Sequence, residues 1–374
     1  DQTAYARELF DLLSHEGGTV DPLGDPAFFK TPLAELGTWA DDPWGDPTYG
    51  IDASTTRPLE YNNGLVVDTA HAKLGISGSD ADRSPERQGT VVTGVYIEDS
   101  SVTLQQESIE RGGVTGELIR IPEMRQRTNV TSTLTSTVQR LAEGKHARRC
   151  LGDITGPVFF DGSVYPLSVI YLTLLERAGQ GAPIGNWDLP KTVITNYAAV
   201  VDACYERGLP VFGIVKTSSM GSLTESLREK IAHNDLRGPR GTYHDVPWLR
   251  DHQFIGEVLR DTSLEHLTYT SWFVQQQVTL RDEEFALLEA VADELSHGEP
   301  HDYRRAFAYV RTPKTGNVFR IETPLLFLTD ADQREQLLLK ALKEIARQGD
   351  VPRSVARADR IARISPTNRD TIRD

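Results

Sequence analysis

The chain has 374 residues, enough for one large α/β domain with insertions or for two domains. Its formal net charge of −14 argues against a general affinity for nucleic acid but leaves room for a local basic patch. No long apolar run and no secretory leader is evident, so no membrane span is expected, and the two cysteines, Cys150 and Cys204, fit a reduced cytoplasmic protein better than a disulfide framework.

In chain order, Ala4 to Ser14 reads as an amphipathic helix on Tyr5, Leu9, Phe10, Leu12 and Leu13. A Pro-, Gly-, Asp- and Trp-rich loop from Asp21 to Ile51 follows, and residues 1–60 read as an irregular lead-in, with Trp39 and Trp44 as packing residues. The run Gly64 to Asp68 is a short apolar strand ending on a carboxylate. Thr90 to Ile97 and Ser101 to Gln106 have strand character and would form a meander with it, across a polar link from Gly75 to Gly89. Residues 129–150 read as a helix, with Val130, Leu134, Val138 and Leu141 on one stripe and Glu143 off it. A second apolar run, Val158 to Asp161, again ends on a carboxylate and turns at once through Gly162-Ser163. Helices are expected over Leu167 to Ala178 and Pro190 to Arg207, and a buried strand over Leu209 to Val215, which ends at Lys216.

This order of elements, antiparallel strands first and helix-linked parallel strands after, defines a mixed sheet. Beyond it come a helix from Ser222 to Ala232, a Gly/Pro/Arg loop from His233 to Val246, and a helix from Pro247 to Leu259. A strand from Leu267 to Val278 and an amphipathic helix from Glu283 to Ser296 follow, then a hairpin pairing Phe307 to Arg311 with Asn317 to Phe327. Helices from Ala331 to Arg347 and Arg353 to Ile364 close the chain. With no repeat and no clear linker, one elaborated domain over 61–365 and a polar tail over 366–374 are expected.

Three carboxylates carry the chemical expectation. Asp68 ends one strand, Glu143 sits on the helix before the next, and Asp161 ends that next strand. In a mixed sheet of this order the first and fourth strands are neighbours, so the two Asp would meet at one sheet end with Glu143 above them. Clustered carboxylates repel, and a divalent cation between them stabilises their ionised forms. Mg²⁺ and Mn²⁺ take such oxygen donors, and a pair of these ions about 4 Å apart supports phosphodiester hydrolysis. Asp161 also has a plain alternative as the cap of the following helix.

Four stretches in order resemble the NurA nuclease family: Phe159-Phe160-Asp161-Gly162-Ser163-Val164-Tyr165-Pro166, Gln139-Arg140-Leu141-Ala142-Glu143, Leu209 to Leu223, and Asn317-Val318-Phe319-Arg320-Ile321-Glu322-Thr323-Pro324. The final stretch from Pro352 to Ile364 is similar to the family's last helix. The resemblance spans roughly residues 60–365. It implies an α/β fold with a ribonuclease H-like mixed five-stranded sheet flanked by helices, plus additional C-terminal strands and helices. It also implies a nuclease acting at DNA ends with Mn²⁺ or Mg²⁺, active in 5'-3' end resection for double-strand break repair and also on single strands. The implied partners are DNA, a HerA-type hexameric ATPase translocase and a second copy of the chain. Asp68, Glu143 and Asp161 would be catalytic metal ligands.

The chain departs from that pattern. Asp68 is followed by Thr69-Ala70 rather than Gly-Ser, Val351 stands in the place of the family's Tyr, and Asp359 in that of its His. Asp359 would serve as a fourth metal ligand or as a solvated helix residue. Lys216, Arg353, Arg357 and Arg360 are the candidate DNA contacts, the arginines (with Arg363) running along one side of the closing helix. Asp251 aligns loosely with a further acidic position, whereas His244 and His252 lack zinc-site spacing. Nine of the 40 basic residues are Lys. The acidic, Arg-favouring balance resembles that of proteins from salt-loving archaea. The rival function is a non-catalytic, nuclease-like scaffold that binds a translocase or DNA ends.

Overall fold

The computed structural model describes residues 1–374 except 79–83, 98–107, 122–129, 167–187, 217–219, 277–287 and 366–374. Its elements run α1 (Gln2–Asp11), β1 (Val20–Pro22), β2 (Phe28–Pro32), α2 (Leu33–Gly37), β3 (Tyr49–Thr55), β4 (Leu59–Glu60), β5 (Val66–Ile76) and β6 (Gly89–Tyr96). Next come β7 (Ser108–Arg111), β8 (Val114–Arg120), α3 (Val130–Arg149), β9 (Val158–Asp161), α4 (Asp188–Tyr205), β10 (Val211–Val215), α5 (Ser222–His233) and α6 (Asp251–Val258). The last part holds β11 (His266–Thr270), β12 (Phe273–Gln275), β13 (Arg305–Arg311), β14 (Val318–Pro324), α7 (Ala331–Gln348) and α8 (Arg353–Ala362).

The strands form one mixed sheet in the order β1-β12-β13-β14-β10-β9-β3-β5-β6-β8-β7, with β2, β4 and β11 attached beside it. Within it β10, β9 and β3 are parallel, β5 is antiparallel to β3, and β6 is antiparallel to β5. Strand β9 is buried on both faces, as its Val-Phe-Phe run requires, and Phe159 stacks on Phe212 of β10 at 4.9 Å. The hydrophobic stripe of α3 lies on β6, where a Cβ at Gly94 would meet Val138 at 2.3 Å. Across the sheet, α8 approaches until backbone meets backbone: a Cβ at Gly50 would come within 2.2 Å of the Ser354 carbonyl carbon, and one at Gly75 within 2.4 Å of the Ala358 nitrogen. Only glycine permits that contact, and it brings the closing helix onto β3 and β5.

The stretch read as a lead-in contains structural parts of the sheet. Strand β3 lies between β9 and β5, so the strand beside the Asp161 strand carries Asp52, not Asp68. Its Tyr-Gly-Ile-Asp-Ala-Ser-Thr sequence has few large apolar residues because one face of the strand receives α8. Helix α1 is tied in as well. Its Ala6, Leu9 and Phe10 pack with Leu223, Leu227, Phe254, Ile255 and Phe273 in a second apolar cluster. The expected strand over Leu267 to Val278 is broken at Ser271-Trp272 into β11 and β12, and the helix expected from Pro247 starts only at Asp251. The expected strand Ser101 to Gln106, the helix Leu167 to Ala178 and residues 283–287 of the helix Glu283 to Ser296 lie outside the described residues; the remainder of that last helix is not continuous and gives way to a single 3-10 turn at Ala292–Glu294.

Candidate metal centre

Pairing between the parallel strands β3 and β9 ends at Ile51 opposite Phe160. Asp52 and Asp161 are the next residues along two adjacent strands, about 5 Å apart at the backbone and on one face. Gly50, two residues before Asp52, faces α8, so this is the face on which α8 supplies Asp359. Glu143 comes from α3. The Asp52 side chain is only 6 % exposed. Burial, then the facing carboxylates of Glu143, Asp161 and Asp359, push its carboxyl up to about 8.

Each remaining carboxylate has its own support. The Arg140 guanidinium donates to Glu143 Oε2 at 2.6 Å, and the Tyr197 hydroxyl donates to the same oxygen at 2.9 Å. Gln139 Nε2 donates to Glu143 Oε1 at 3.3 Å and to the Ala53 carbonyl at 3.0 Å, linking α3 to β3 beside Asp52. Burial raises the Glu143 pKa against the opposing pull of Arg140. Lys216 Nζ lies 2.6 Å from Asp161 Oδ2. Asp359 is partly exposed and pairs with Arg363 at 3.0 Å.

The turn after Asp161 is held by residues of the late Arg-x-Glu-x-Pro segment. Ser163 Oγ donates to Glu322 Oε2 at 2.5 Å, and the Val164 N–H donates to it at 3.2 Å. Glu322 is fully buried; Arg320 Nε lies 2.9 Å from its Oε1 and Arg305 Nη1 3.4 Å. Burial works to raise the Glu322 pKa, but Arg305 and Arg320 hold it below the usual range. Two separately read motifs are therefore one structural unit.

Asp68 is placed elsewhere. It is 1 % exposed and accepts from Thr56 Oγ1 at 3.0 Å, the Thr69 N–H at 2.8 Å and Thr135 Oγ1 at 2.6 Å. Asp52 is opposite Lys73 in the β3–β5 pairing, and Asp68 is an odd number of residues from Lys73, so the two Asp point to opposite faces. Its helix partner Thr135 precedes Glu143 by eight residues, about 12 Å along α3. Asp68 is thus a buried carboxylate bonded to Thr56, Thr69 and Thr135, and it is Asp52 that stands on the strand beside Asp161. The period-2 alternation of Tyr49, Ile51 and Ala53 with Gly50, Asp52 and Ser54 is the sequence signal that would have found it.

Of the proposed DNA contacts, Arg353 and Arg360 are exposed on α8. Arg357 instead binds Glu86 through two nitrogens, with Nη2 at 2.6 Å from Oε2, which gives it a structural partner. Asp251 caps α5, accepting from the N–H groups of Leu223 and Thr224 at 3.1 and 3.0 Å, and from the Tyr309 hydroxyl at 3.0 Å. The His244 ring lies 6.3 Å from that of Tyr5, tilted by 33°. Trp44 donates its indole N–H to the Gly208 carbonyl at 2.8 Å, in keeping with a packing role. Val351 is buried, and both cysteines are free and buried. Among the described residues no helix is long and apolar enough to cross a membrane.

The donor set is made of hard carboxylate oxygens, which fits Mn²⁺ or Mg²⁺. Among the described residues, no three His, Cys, Asp or Glu side chains already stand at metal-holding spacing. Arg140 instead pairs with Glu143, and Lys216 with Asp161.

The mixed sheet flanked by helices, with Asp161 at the end of β9 beside Asp52 of β3, defines an α/β protein with a candidate cation site. The NurA domain matches residues 46–364, and the chain belongs to that family. No curated protein matches it significantly. Among solved structures it is similar to the NurA nuclease from Sulfolobus solfataricus, at 13 % identity and a TM-score of 0.45, over 91 % of this chain and 88 % of that one. It is also similar to NurA with manganese, at 11 % identity and a TM-score of 0.44, over 88 % of this chain and 89 % of that one. A third, NurA bound to dAMP and manganese, gives 11 % identity and a TM-score of 0.41, over 89 % of each chain.

Proposed function

We propose that this protein is a divalent-metal-dependent nuclease hydrolysing phosphodiester bonds in DNA. The observation that carries the reading is that Asp52 and Asp161 follow the paired Ile51 and Phe160 on adjacent strands, with the charges of Glu143 and Asp359 also felt at the buried Asp52. These four side chains would hold the ion. Mn²⁺ is the expected ion, as in the manganese-containing NurA structures, with Mg²⁺ fitting the same oxygen donors. When bound, the ion supplies a water acidic enough to attack phosphorus and offsets charge on the phosphate.

The chain's own residues divide the remaining work. Tyr197, Gln139 and Arg140 fix the Glu143 carboxylate. Glu322 holds the Gly162-Ser163 turn and so keeps the end of β9 in place. Lys216, paired with Asp161 and 39 % exposed at its side chain, would be placed to meet a phosphate oxygen. Arg353 and Arg360 are the further proposed backbone contacts, setting affinity without sequence preference. No protein side chain is needed as a general base.

The reading extends to finer points. The five-strand series β6-β5-β3-β9-β10, with its directions, supports a ribonuclease H-like core. Family membership supports action at DNA ends in 5'-3' resection, cutting of single strands, pairing into a dimer, cooperation with a HerA-type translocase and a cytoplasmic setting. The acidic, Lys-poor composition supports a halophilic source.

The test is cleavage of end-labelled DNA with Mn²⁺ by the wild type, Asp52→Ala and Asp161→Ala. Loss of cleavage in both variants is expected, and unchanged cleavage in either removes that ligand from the site. The scaffold reading draws on the pairing of Glu143 and Asp161 with Arg140 and Lys216. Calorimetry in high salt separates the two readings, since a scaffold would take up no Mn²⁺ at these carboxylates.

A further inference from the structure

Two cations of the chain itself stand among the carboxylates, and they are held very differently. Lys216 is on a long stem at a strand end, 39 % exposed. Arg140 is seated. Its Nη1 donates to Glu143 Oε2 at 2.6 Å and to the Asp161 main-chain oxygen at 3.3 Å, joining α3 to the end of β9. Tyr197 shares the same Glu143 oxygen. On the other side lies Gly162, where a Cβ would come within 3.0 Å of both Nη1 and Nη2. The Gly162 N–H donates to the Ile214 carbonyl of β10 at 3.0 Å, so the wall of this seat is part of the sheet. Gly162 therefore does more than turn the chain: it leaves the volume the guanidinium occupies.

The Asp52 side of the centre has no such occupant. Its carboxyl is faced by three others, and among the described residues no Lys or Arg bonds to it. The cations on Asp161 and Asp359, Lys216 and Arg363, are 39 % and 69 % exposed and free to move aside, whereas the Arg140 on Glu143 is seated.

We propose that Arg140 is a built-in second cation. It fills the position between Glu143 and Asp161 that a second divalent ion would take, so the centre loads one divalent ion, on the side of Asp52, Asp161 and Asp359. This deepens, and rests on, the metal-dependent reading above. The physical reason is competition for one volume. An Mg²⁺- or Mn²⁺-type ion needs its oxygens at about 2.0–2.2 Å, and a guanidinium on Glu143 Oε2 and the Asp161 carbonyl denies it that approach. A fixed guanidinium supplies a planar, permanent positive charge there. Arg140 is thus a positioning residue that sets metal stoichiometry.

The experiment counts ions. Mn²⁺ is titrated into the full chain by calorimetry and electron paramagnetic resonance, with and without a non-cleavable oligonucleotide. The wild type should bind one ion per chain, with a spectrum free of Mn–Mn coupling. Arg140→Gln, which removes the charge at similar size, should bind two coupled ions; Arg140→Lys should stay at one. Two coupled ions in the wild type overturn the assignment, as does a folded Arg140→Gln that still binds one. Should Arg140→Gln fail to fold by circular dichroism, the wild-type count decides: one ion supports the assignment, two refute it. A wild type that binds no Mn²⁺ removes the metal-site reading itself and this inference with it. Two ions in the wild type remove this inference alone.

Discussion

Replacing Asp52 by Asn probes the convergence of the carboxylates without using cleavage as the readout. Asp52 is almost completely buried, and its pKa rises from an ordinary 3.8 to about 8. A carboxyl with a raised folded-state pKa is more strongly protonated in the native chain than in the unfolded one. Stability therefore falls as pH rises from about 4 to about 8 and levels off above that. Roughly four pKa units at about 1.4 kcal/mol each set a ceiling of about 6 kcal/mol. Relaxation and entry of water reduce this to about 2–4 kcal/mol. Asn keeps the shape and cannot ionise. In metal-free buffer Asp52→Asn should therefore be more stable than the wild type by about 2–4 kcal/mol at pH 8–9, and level with it near pH 4. Urea denaturation in chelator across that range measures the difference. Added Mn²⁺ should then raise the wild-type midpoint and leave the variant where it was. A difference that does not change with pH, or a variant less stable than the wild type at pH 8, would refute the electrostatic reasoning.

Asp161→Asn should lower cleavage by at least the roughly 100-fold that loss of a supporting metal contact costs, whereas Asp68→Asn should keep Mn²⁺ binding by calorimetry. Glu322→Gln strands two buried arginines and should cost about 3–5 kcal/mol by urea denaturation near neutral pH. Because the Glu322 pKa is lowered on folding, that cost should shrink as pH falls below about 4. Gly50→Ala drives a methyl against the Ser354 backbone. It should destabilise by about 1–3 kcal/mol and weaken Mn²⁺ binding, because α8 carries Asp359 away from β3.

Much of the architecture was legible from hydrophobic pattern alone. The 3.6-residue stripe of Val130, Leu134, Val138 and Leu141 is buried as that pattern requires, and the apolar run before Asp161 is a buried strand. The hairpin of β13 and β14 was marked by its Pro-Lys-Thr-Gly turn. Strand β3 was not legible as a core strand, since its α8-facing side is Gly, Asp and Ser, and small polar residues in sequence look like loop. That omission left Asp52 out of the candidate set and made Asp68 the carboxylate of the first strand read.

The sequence by itself determined which residue types were available: a carboxylate-rich set with Glu143 and Asp161 in the right local settings, and the glycines at 50, 75 and 162. The tertiary structure alone decided which carboxylate joins them. Register on a sheet is a long-range property, and a strand's partner sets the face its side chains occupy. Asp52 and Asp68 each follow a short apolar stretch, and only the pairing of β3 with β9 separates the charge-crowded position from the Thr-bonded one. The same holds for Arg140. In sequence it is one arginine on a helix; folded, it lies against Gly162 between two carboxylate-bearing elements.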